Sequence, residues 1–360
     1  MATTRVKRST AKAKTKVNKT TYATDLIFYL NGQPVQINNV SPATLLVDYL
    51  RSPEVGLTGT KIGCKQGGCG ACTALLSQWD PGAGQPVHRS INTCMRPLAA
   101  LDGMMITTVE GMGSVNSAVS PVQYCLAKNN GTQCGYCTPG MVMSAHGCFA
   151  ARGVDQVTFD TTTDRVSPDD PALKQLPTKQ EIQERFDGNL CRCTGFRPIL
   201  HGFEKGFAKD WTPADDTGCM TCKIDPAEAV TVSQLITPPF PDALKTQPRA
   251  LSYERDDYKW FRPTSLADLK PLISEYASAT ELKLVNGNTS VGIYDKYTEN
   301  PHVLIDVAHV PELYTLSADD TGMTVGAGVT YNDFIAFLDK QIATATGSNP
   351  ERLAGLNALR

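Results

Sequence analysis

Three cysteines share one short loop, Cys64-Lys-Gln-Gly-Gly-Cys69-Gly-Ala-Cys72, and a fourth, Cys94, follows after a gap. Thiolates spaced by four and then two residues, with one distant partner, match the plant-type pattern for a [2Fe–2S] centre. The glycines fit that chemistry. A loop wrapped around an anionic cluster must turn its amides inward, and Gly63, Gly67, Gly68 and Gly70 permit the backbone angles and close approach this needs. The competing reading is structural zinc, which usually pairs two short Cys clips instead of placing three ligands in one loop. A disulfide fits less well, because the chain shows no export signal.

A second constellation is Cys134-Gly-Tyr-Cys137 with Cys191-Arg-Cys193. Each clip lies beside a predicted helix end, so four thiolates on two helix–loop junctions can hold a second cluster, with zinc as the alternative. Cys125 and Cys148 fall on predicted helices and read as buried free thiols. Cys219 and Cys222 read as an incidental pair. His88, His146, His201, His302 and His309 show no clustered ligand spacing and receive no role.

The elements that must position these thiols follow from the pattern. Leu26–Leu30 reads as a strand, Asn31-Gly32 as a hairpin turn and Val35 with Ile37 as the return strand. Ser41 or Thr44 could cap a helix through Leu45–Leu50, and strands follow at Thr73–Leu76 and Met104–Val109. Helical spacing covers Val119–Lys128 and Met141–Arg152. A capping box at Thr178–Glu181 opens a helix ending near Gly188, and Arg197–Ala208 gives a fourth. Residues 153–177 read as an exposed loop, and the proline-rich stretch 209–257 as a linker. Beyond it come helices at Ser265–Tyr276, Tyr331–Leu338 and Glu351–Leu359, and strands at Leu282–Asn286, around Val303–Asp306 and at Met323–Ala327. The fold class is α+β.

Composition sets bounds. The chain has 360 residues, 41% hydrophobic and 19% charged, with a formal net charge of −2. That length holds two or three domains, and the charge argues against nucleic acid as a partner. No apolar run is long enough to span a membrane. Residues 1–24 carry Arg5, Lys7, Arg8, Lys12, Lys14, Lys16 and Lys19 with no acid before Asp25, and read as a disordered basic tail.

The segments GLTGTKIGCKQGGCGACT (56–73), TTVEGMGS (107–114), GTQCGYCTPGMVMS (131–144) and GNLCRCTGFRPIL (188–200) resemble the iron–sulfur half of the xanthine dehydrogenase and aldehyde oxidase family of molybdenum hydroxylases. The resemblance is strong over 25–208 and weaker over 258–360, which is similar to the beginning of the family's FAD domain. It implies a ferredoxin-like β-grasp domain at 25–112 with one [2Fe–2S] cluster at Cys64, Cys69, Cys72 and Cys94. It implies a four-helix domain at 113–208 with another at Cys134, Cys137, Cys191 and Cys193. A partial FAD-binding domain would fill 258–360. Leu284, Val285, Asn286, Gly287, Asn288, Thr289, Ser290 and Val291 resemble the family's flavin-phosphate loop, and Gln133 matches a residue that approaches the molybdopterin. The family's second flavin segment, a Gly-Gly-Asn stretch, is not in this sequence.

The function so implied is the electron-transfer portion of an oxidoreductase that hydroxylates a purine or aldehyde. Electrons pass from molybdenum through two clusters to FAD, and then to NAD or oxygen. The implied partners are a molybdenum-cofactor domain or subunit, which would carry the molybdopterin, and the rest of the FAD domain, in a homodimeric cytoplasmic enzyme. The alternatives are a stand-alone ferredoxin-type carrier and a zinc-stabilised interaction module.

Overall fold

The computed structural model describes residues 20–216, 230–277, 282–289, 293, 301–319, 322–345 and 350–359. The first domain is built on a five-stranded mixed sheet. Strands β1 (Asp25–Leu30) and β2 (Gln33–Asn38) form the anticipated hairpin. Asn31 (φ 49°) and Gly32 (φ 80°) are both left-handed, as a two-residue turn matched to strand twist requires. With β3 (Thr73–Asp80), β4 (Gln85–Asn92) and β5 (Met104–Thr107), the strand order is β2-β1-β5-β3-β4. Only the β1–β5 pairing is parallel.

Strand β4 has weak propensity of its own. It forms because it pairs along all of β3, from Thr73 opposite Asn92 to Asp80 opposite Gln85. Helix α1 (Leu46–Leu50) has no side-chain cap, so neither Ser41 nor Thr44 acts as one. Its entry is held by tertiary bonds instead, from the Leu46 amide to the Arg96 carbonyl at 2.8 Å and from the Val47 amide to Thr93 at 3.2 Å.

The second domain contains the four anticipated helices: α2 (Pro121–Lys128), α3 (Thr138–Ala150), α4 (Lys179–Glu184) and α5 (Arg197–Phe207). Reciprocal capping boxes open α2 (Ser120 with Gln123) and α4 (Thr178 with Glu181). Helix α4 is shorter than the sequence suggests and stops at Glu184. The stretch 153–177 is not an open loop. It holds a small hairpin, β6 (Phe159–Asp160) with β7 (Arg165–Val166), and inserts Phe159, Val166 and Leu176 into the helical core. Those few apolar side chains outweigh the polar residues around them, because full burial of each contributes about 1.5–3 kcal/mol.

Helix α3 joins the two domains. Every residue from Gly140 to Ala150 is buried. Met143 and Ala150 meet Leu75 and Met112 on the sheet side, while Met141, Val142, Ala145 and Phe149 fill the bundle. Two glycines permit the approach. A Cβ on Gly140 would overlap the Gly70 carbonyl, and one on Gly147 would overlap the Ser90 hydroxyl. With α3 on one face and α1 on the other, β3 is buried on both sides, which explains its unbroken apolar run.

The stretch read as a linker packs closely. Val232 bridges Val119, Leu235 bridges Gln156, and Ile236 is fully buried. Phe240 stacks on Trp79 at 6.3 Å, with the Lys245 ammonium 5.4 Å above the same indole. Strand β8 (Leu251–Arg255) begins inside this stretch and pairs with β9 (Tyr258–Arg262). Cys219 and Cys222 lie outside the described residues.

After β9 come α6 (Leu266–Tyr276), β10 (Leu282–Val285) and β11 (Val303–Asp306). The second sheet runs β10-β11-β9-β8, with β10, β11 and β9 parallel. A hairpin of β12 (Leu316–Ala318) and β13 (Met323–Val325) follows, then α7 (Tyr331–Ala345) and α8 (Pro350–Leu359). Of the residues read as a basic tail, 1–19 lie outside the described residues. Those from 20 onward are fixed: Ala23 bonds to Ala250 and Ser252 at the β8 edge, and Tyr22 meets Phe261 edge-on. The edge strand offers backbone groups that the basic composition gives no hint of.

The two sheets share a core. Leu251, Tyr253, Trp260 and Val285 pack with Leu26, Phe28, Leu46 and Leu50. At that junction Arg262, fully buried, donates to the Asp102 carboxylate at 2.9 Å, to the Asp102 carbonyl at 3.1 Å and to the Arg249 carbonyl at 3.0 Å. Asp102 also accepts from the Ile27 amide and the Arg249 guanidinium. Removing one partner of such a pair strands a buried charge, so Asp102→Leu should lose about 3–5 kcal/mol. Urea unfolding measures this, and a loss below 1 kcal/mol would contradict it.

His146 on α3 gives a second test. It is fully buried, and neither ring nitrogen has a hydrogen-bond partner. Burial, with a smaller push from His88, lowers its pKa from 6.5 to about 3. The unfolded chain therefore binds a proton near pH 6.5 that the folded chain refuses. Stability is unaffected above that pH and declines from there toward pH 3, by up to ~1.4 kcal/mol per unit. His146→Leu should flatten thermal stability over that window; an unchanged slope would refute the assignment.

Candidate metal centres and cofactor cavity

Two loop systems bring the eight predicted thiols together in pairs. Cys64 and Cys69 sit in the glycine-rich loop, Cys72 immediately precedes β3, and Cys94 follows β4. The amides of Gln66 and Gly68 each donate to Cys64 Sγ at 3.3 Å. Burial alone would raise the Cys64 thiol, but these amides and the neighbouring Cys69 thiol bring it below its ordinary value. Cys94 donates to Cys72, which drops to about 6 while Cys94 is pushed up. Cys72 and Cys94 are both buried, within an apolar group formed by Val47 and Met95 with Leu45, Ile62 and Ile293 against it.

In the helical domain Cys137 is the N-cap of α3, and Cys191 and Cys193 lie between α4 and α5. The positive end of α3 thus begins at Cys137, a placement that favours anionic sulfur. Cys193 donates to Cys134 across 3.4 Å. The Tyr136 amide, and then Cys193, lower the Cys134 thiol. Burial, and then the bond to Cys191, push Cys137 up to about 12. For Cys191 burial is outweighed by hydrogen bonds from Thr194, and the shift is downward.

The sulfurs thus approach two by two: 64 with 69, 72 with 94, 134 with 193 and 137 with 191. Four thiols arranged in two pairs in each pocket would suit a [2Fe–2S] cluster, which cysteine thiolates hold. Among the described residues no group of three or more His, Cys, Asp or Glu lies close enough together to hold a single metal ion. Cys125 and Cys148 are buried free thiols, as the sequence suggests.

The two loop systems touch. The Leu190 amide donates to the Cys69 carbonyl at 2.9 Å, the Asn189 carboxamide to Gly70 at 3.3 Å, and the Tyr136 hydroxyl to Ile62 at 2.6 Å. Gly70 has φ +67°, and a Cβ there would lie 2.5 Å from both Gly188 O and Asn189 Nδ2, so the seam demands glycine. Cys134 and Cys193 are exposed, as is Gln133 beside them. Around them Leu190 is 65% and Tyr136 48% exposed.

On the other side of the first domain lies a cavity of about 710 Å³, between its β3–β4 side and the second sheet. Met95 and Arg96 line it from one side, and Asn286, Gly287, Thr289 and His309 from the other. Of the eight residues in the predicted flavin loop, these three face the cavity. Val285 is buried below it, accepting from the Val307 amide at 2.9 Å, and Leu284 is 48% exposed. Asn288 is buried and directed elsewhere, donating to the Met95 carbonyl at 2.8 Å. Ser290 and Val291 lie outside the described residues. His309 Nε2 is buried without a partner at the cavity wall, and Asp306 Oδ2 is likewise unpaired. No spacing in the sequence singles out His309, because its place at the cavity wall comes from the loop after β11.

Family models match three successive regions. Residues 28–96 match a 2Fe-2S iron-sulfur cluster binding domain, 108–204 a [2Fe-2S] binding domain, and 256–355 an FAD binding domain in molybdopterin dehydrogenase. Xanthine dehydrogenase of Drosophila pseudoobscura pseudoobscura is 36% identical over 344 residues, 88% of this chain and 23% of that protein. Xanthine dehydrogenase/oxidase of Gallus gallus is 34% identical over 89% of this chain and 25% of its own length. Aldehyde oxidase 2 of Cavia porcellus is 34% identical over 93% and 25%, respectively. The chain thus spans about a quarter of the length of these relatives. Among solved structures, quinoline 2-oxidoreductase from Pseudomonas putida 86 aligns over 50% of this chain and 90% of its own, with 31% identity and a TM-score of 0.38. With both cysteine domains and the FAD domain matched in this order, the chain belongs to the xanthine dehydrogenase and aldehyde oxidase family.

Proposed function

We propose that this chain is the electron-transfer portion of a molybdenum hydroxylase, with Cys64, Cys69, Cys72 and Cys94 holding one [2Fe–2S] cluster and Cys134, Cys137, Cys191 and Cys193 the other. The observation that carries the reading is the two-by-two approach of eight thiols in two pockets joined by a hydrogen-bonded seam. When bound, the clusters supply one-electron redox capacity, and FAD links it to two-electron chemistry. The protein's share is to fix positions. The Gln66 and Gly68 amides stabilise sulfur charge, the α3 terminus, the Tyr136 amide and Thr194 do so in the helical pocket, and the seam holds the pockets in register. Each thiol pair holds one sulfur with a lowered pKa, which eases the proton loss that metal binding requires.

The cavity beside Asn286, Gly287 and Thr289 fits FAD. Its volume lies in the range of cofactor sites, Gly287 (φ +76°) lets backbone approach a pyrophosphate, and Arg96 with the unpaired His309 supplies polar contacts. We assign Leu284–Thr289 to that site as a loop, with Ser290 and Val291 continuing it. Gln133, at the exposed rim of the helical pocket, is placed to meet a molybdopterin brought by a molybdenum-cofactor domain or subunit, and Leu190 and Tyr136 give that partner an apolar footing. The family resemblance adds the remainder of the FAD domain and a homodimer. A reducing compartment, the cytoplasm, fits the ten described cysteines, all free thiols. No helix among the described residues is long and apolar enough to cross a membrane.

Domain limits of 25–112, 113–208 and 258–360 remain our reading, with 209–257 as the strap between. A stand-alone ferredoxin carrier would have no need of the FAD domain matched at 256–355. Anaerobic reconstitution with iron and sulfide should load about four iron ions per chain and give two distinguishable paramagnetic signals on reduction. Cys94→Ala should remove one signal and Cys193→Ala the other. A colourless, zinc-loaded protein, or one signal lost to both variants, would sink the assignment.

A further inference from the structure

We propose that Asn288 and Ile293 are positioning residues that make the flavin loop part of the wall of the Cys72–Cys94 pocket, keeping water from that pocket and fixing its separation from the cavity. The inference rests on the two-cluster reading above. The loop has two working faces. Asn286, Gly287 and Thr289 line the cavity, whereas Asn288 is not part of its lining and binds the first domain's backbone at Met95. Its backbone is left-handed (φ 64°), a conformation that asparagine tolerates better than most residues. Its carboxamide is buried and donates at 2.8 Å to the carbonyl of Met95, the residue after Cys94.

The contact spans 193 positions of sequence, so the fold makes it and local chain geometry does not. A second, independent contact reinforces it. Ile293 packs against the apolar group of Val47, Cys72, Cys94 and Met95. Met95 is itself on both sides: it lines the cavity and closes over Gly67, where a Cβ would lie 3.1 Å from Met95 Cγ. Asn288 is therefore better explained as a tether between loop and pocket than as a ligand of the cofactor phosphates.

A cluster gains negative charge on reduction, and water stabilises that charge, so solvent access is one of the factors that set its potential. Breaking either contact should admit water to the Cys72–Cys94 pocket and make reduction easier there alone. The test is a redox titration of the full chain, reconstituted with iron and sulfide without flavin, following both paramagnetic signals assigned by the cysteine variants. Asn288→Gly keeps the left-handed backbone and removes the donor; Ile293→Ala removes the apolar cover. Each should raise the midpoint of the Cys94-dependent signal by about 59 mV, a tenfold change in a one-electron equilibrium, with the Cys193-dependent signal unmoved. Ile293→Leu should retain the parental value. Selective loss of the Cys94-dependent signal is the same effect carried further. Unmoved midpoints in both variants, or equal shifts of both signals, overturn the proposal while leaving the two-cluster reading intact. A parent chain without two signals removes both.

Discussion

One backbone hydrogen bond, from the Leu190 amide to the Cys69 carbonyl, ties the two cysteine systems together. It sits between Cys191 on one loop and Cys69 on the other, so it tolerates little change in either. Gly70 next to it has no room for a side chain, and Gly140 on α3 closes over the Gly70 carbonyl. The seam therefore constrains three segments far apart in sequence, near 70, 140 and 189. Helix α3 must be buried on all sides to deliver Gly140 to this place while its N-cap remains Cys137. The β-rich and helical domains are in this sense one construction with a shared junction.

A different constraint governs the other side. The second sheet meets the first through apolar residues of both, and the Arg262–Asp102 pair lies within that contact. Burying two charges is costly unless their remaining hydrogen-bonding capacity is met. Here the guanidinium reaches two carbonyls as well as the carboxylate, and the carboxylate also accepts from Ile27 and Arg249. A satisfied ionic contact of this kind specifies one docking geometry, because sliding would strand several donors at once. The flavin loop after β10 inherits that geometry, and the cavity is what remains between the two sheets.

The sequence made the chemistry legible and left much of the packing hidden. Cysteine spacing and the Asn31-Gly32 turn carry local physical meaning, and both could be read directly. So could the Thr178–Glu181 cap, since its partners are three residues apart. Strand β4 could not be read, because it depends on β3 as a template. The supposed linker misled because proline and polar residues dominate its composition, while its packing comes from single residues: Ile236, Phe240 and Leu244. Asn288 is the sharpest case. The loop motif singles out a segment, yet nothing local tells which of its side chains faces the cavity and which the cysteine pocket. That choice is set by a left-handed backbone and a carbonyl 193 positions away.

The two proposed pockets differ in a way that follows from their places in the fold. Cys72 and Cys94 lie among apolar residues of α1 and the neighbouring loops, with Ile293 packed against them, whereas Cys134 and Cys193 open to solvent beside Leu190 and Tyr136. Large apolar side chains around exposed thiols are poorly suited to remaining in water. A partner seated on that rim would exclude water from the helical pocket, as Val47, Met95 and Ile293 already do around Cys72 and Cys94. Under the proposed function the chain would be half enclosed: the Cys72–Cys94 pocket is covered by its own residues, and the opposite pocket would be covered by the proposed molybdenum-cofactor partner. If the proposed clusters pass electrons in one direction, two sites whose surroundings differ would serve that better than two alike, and the difference here is built from burial.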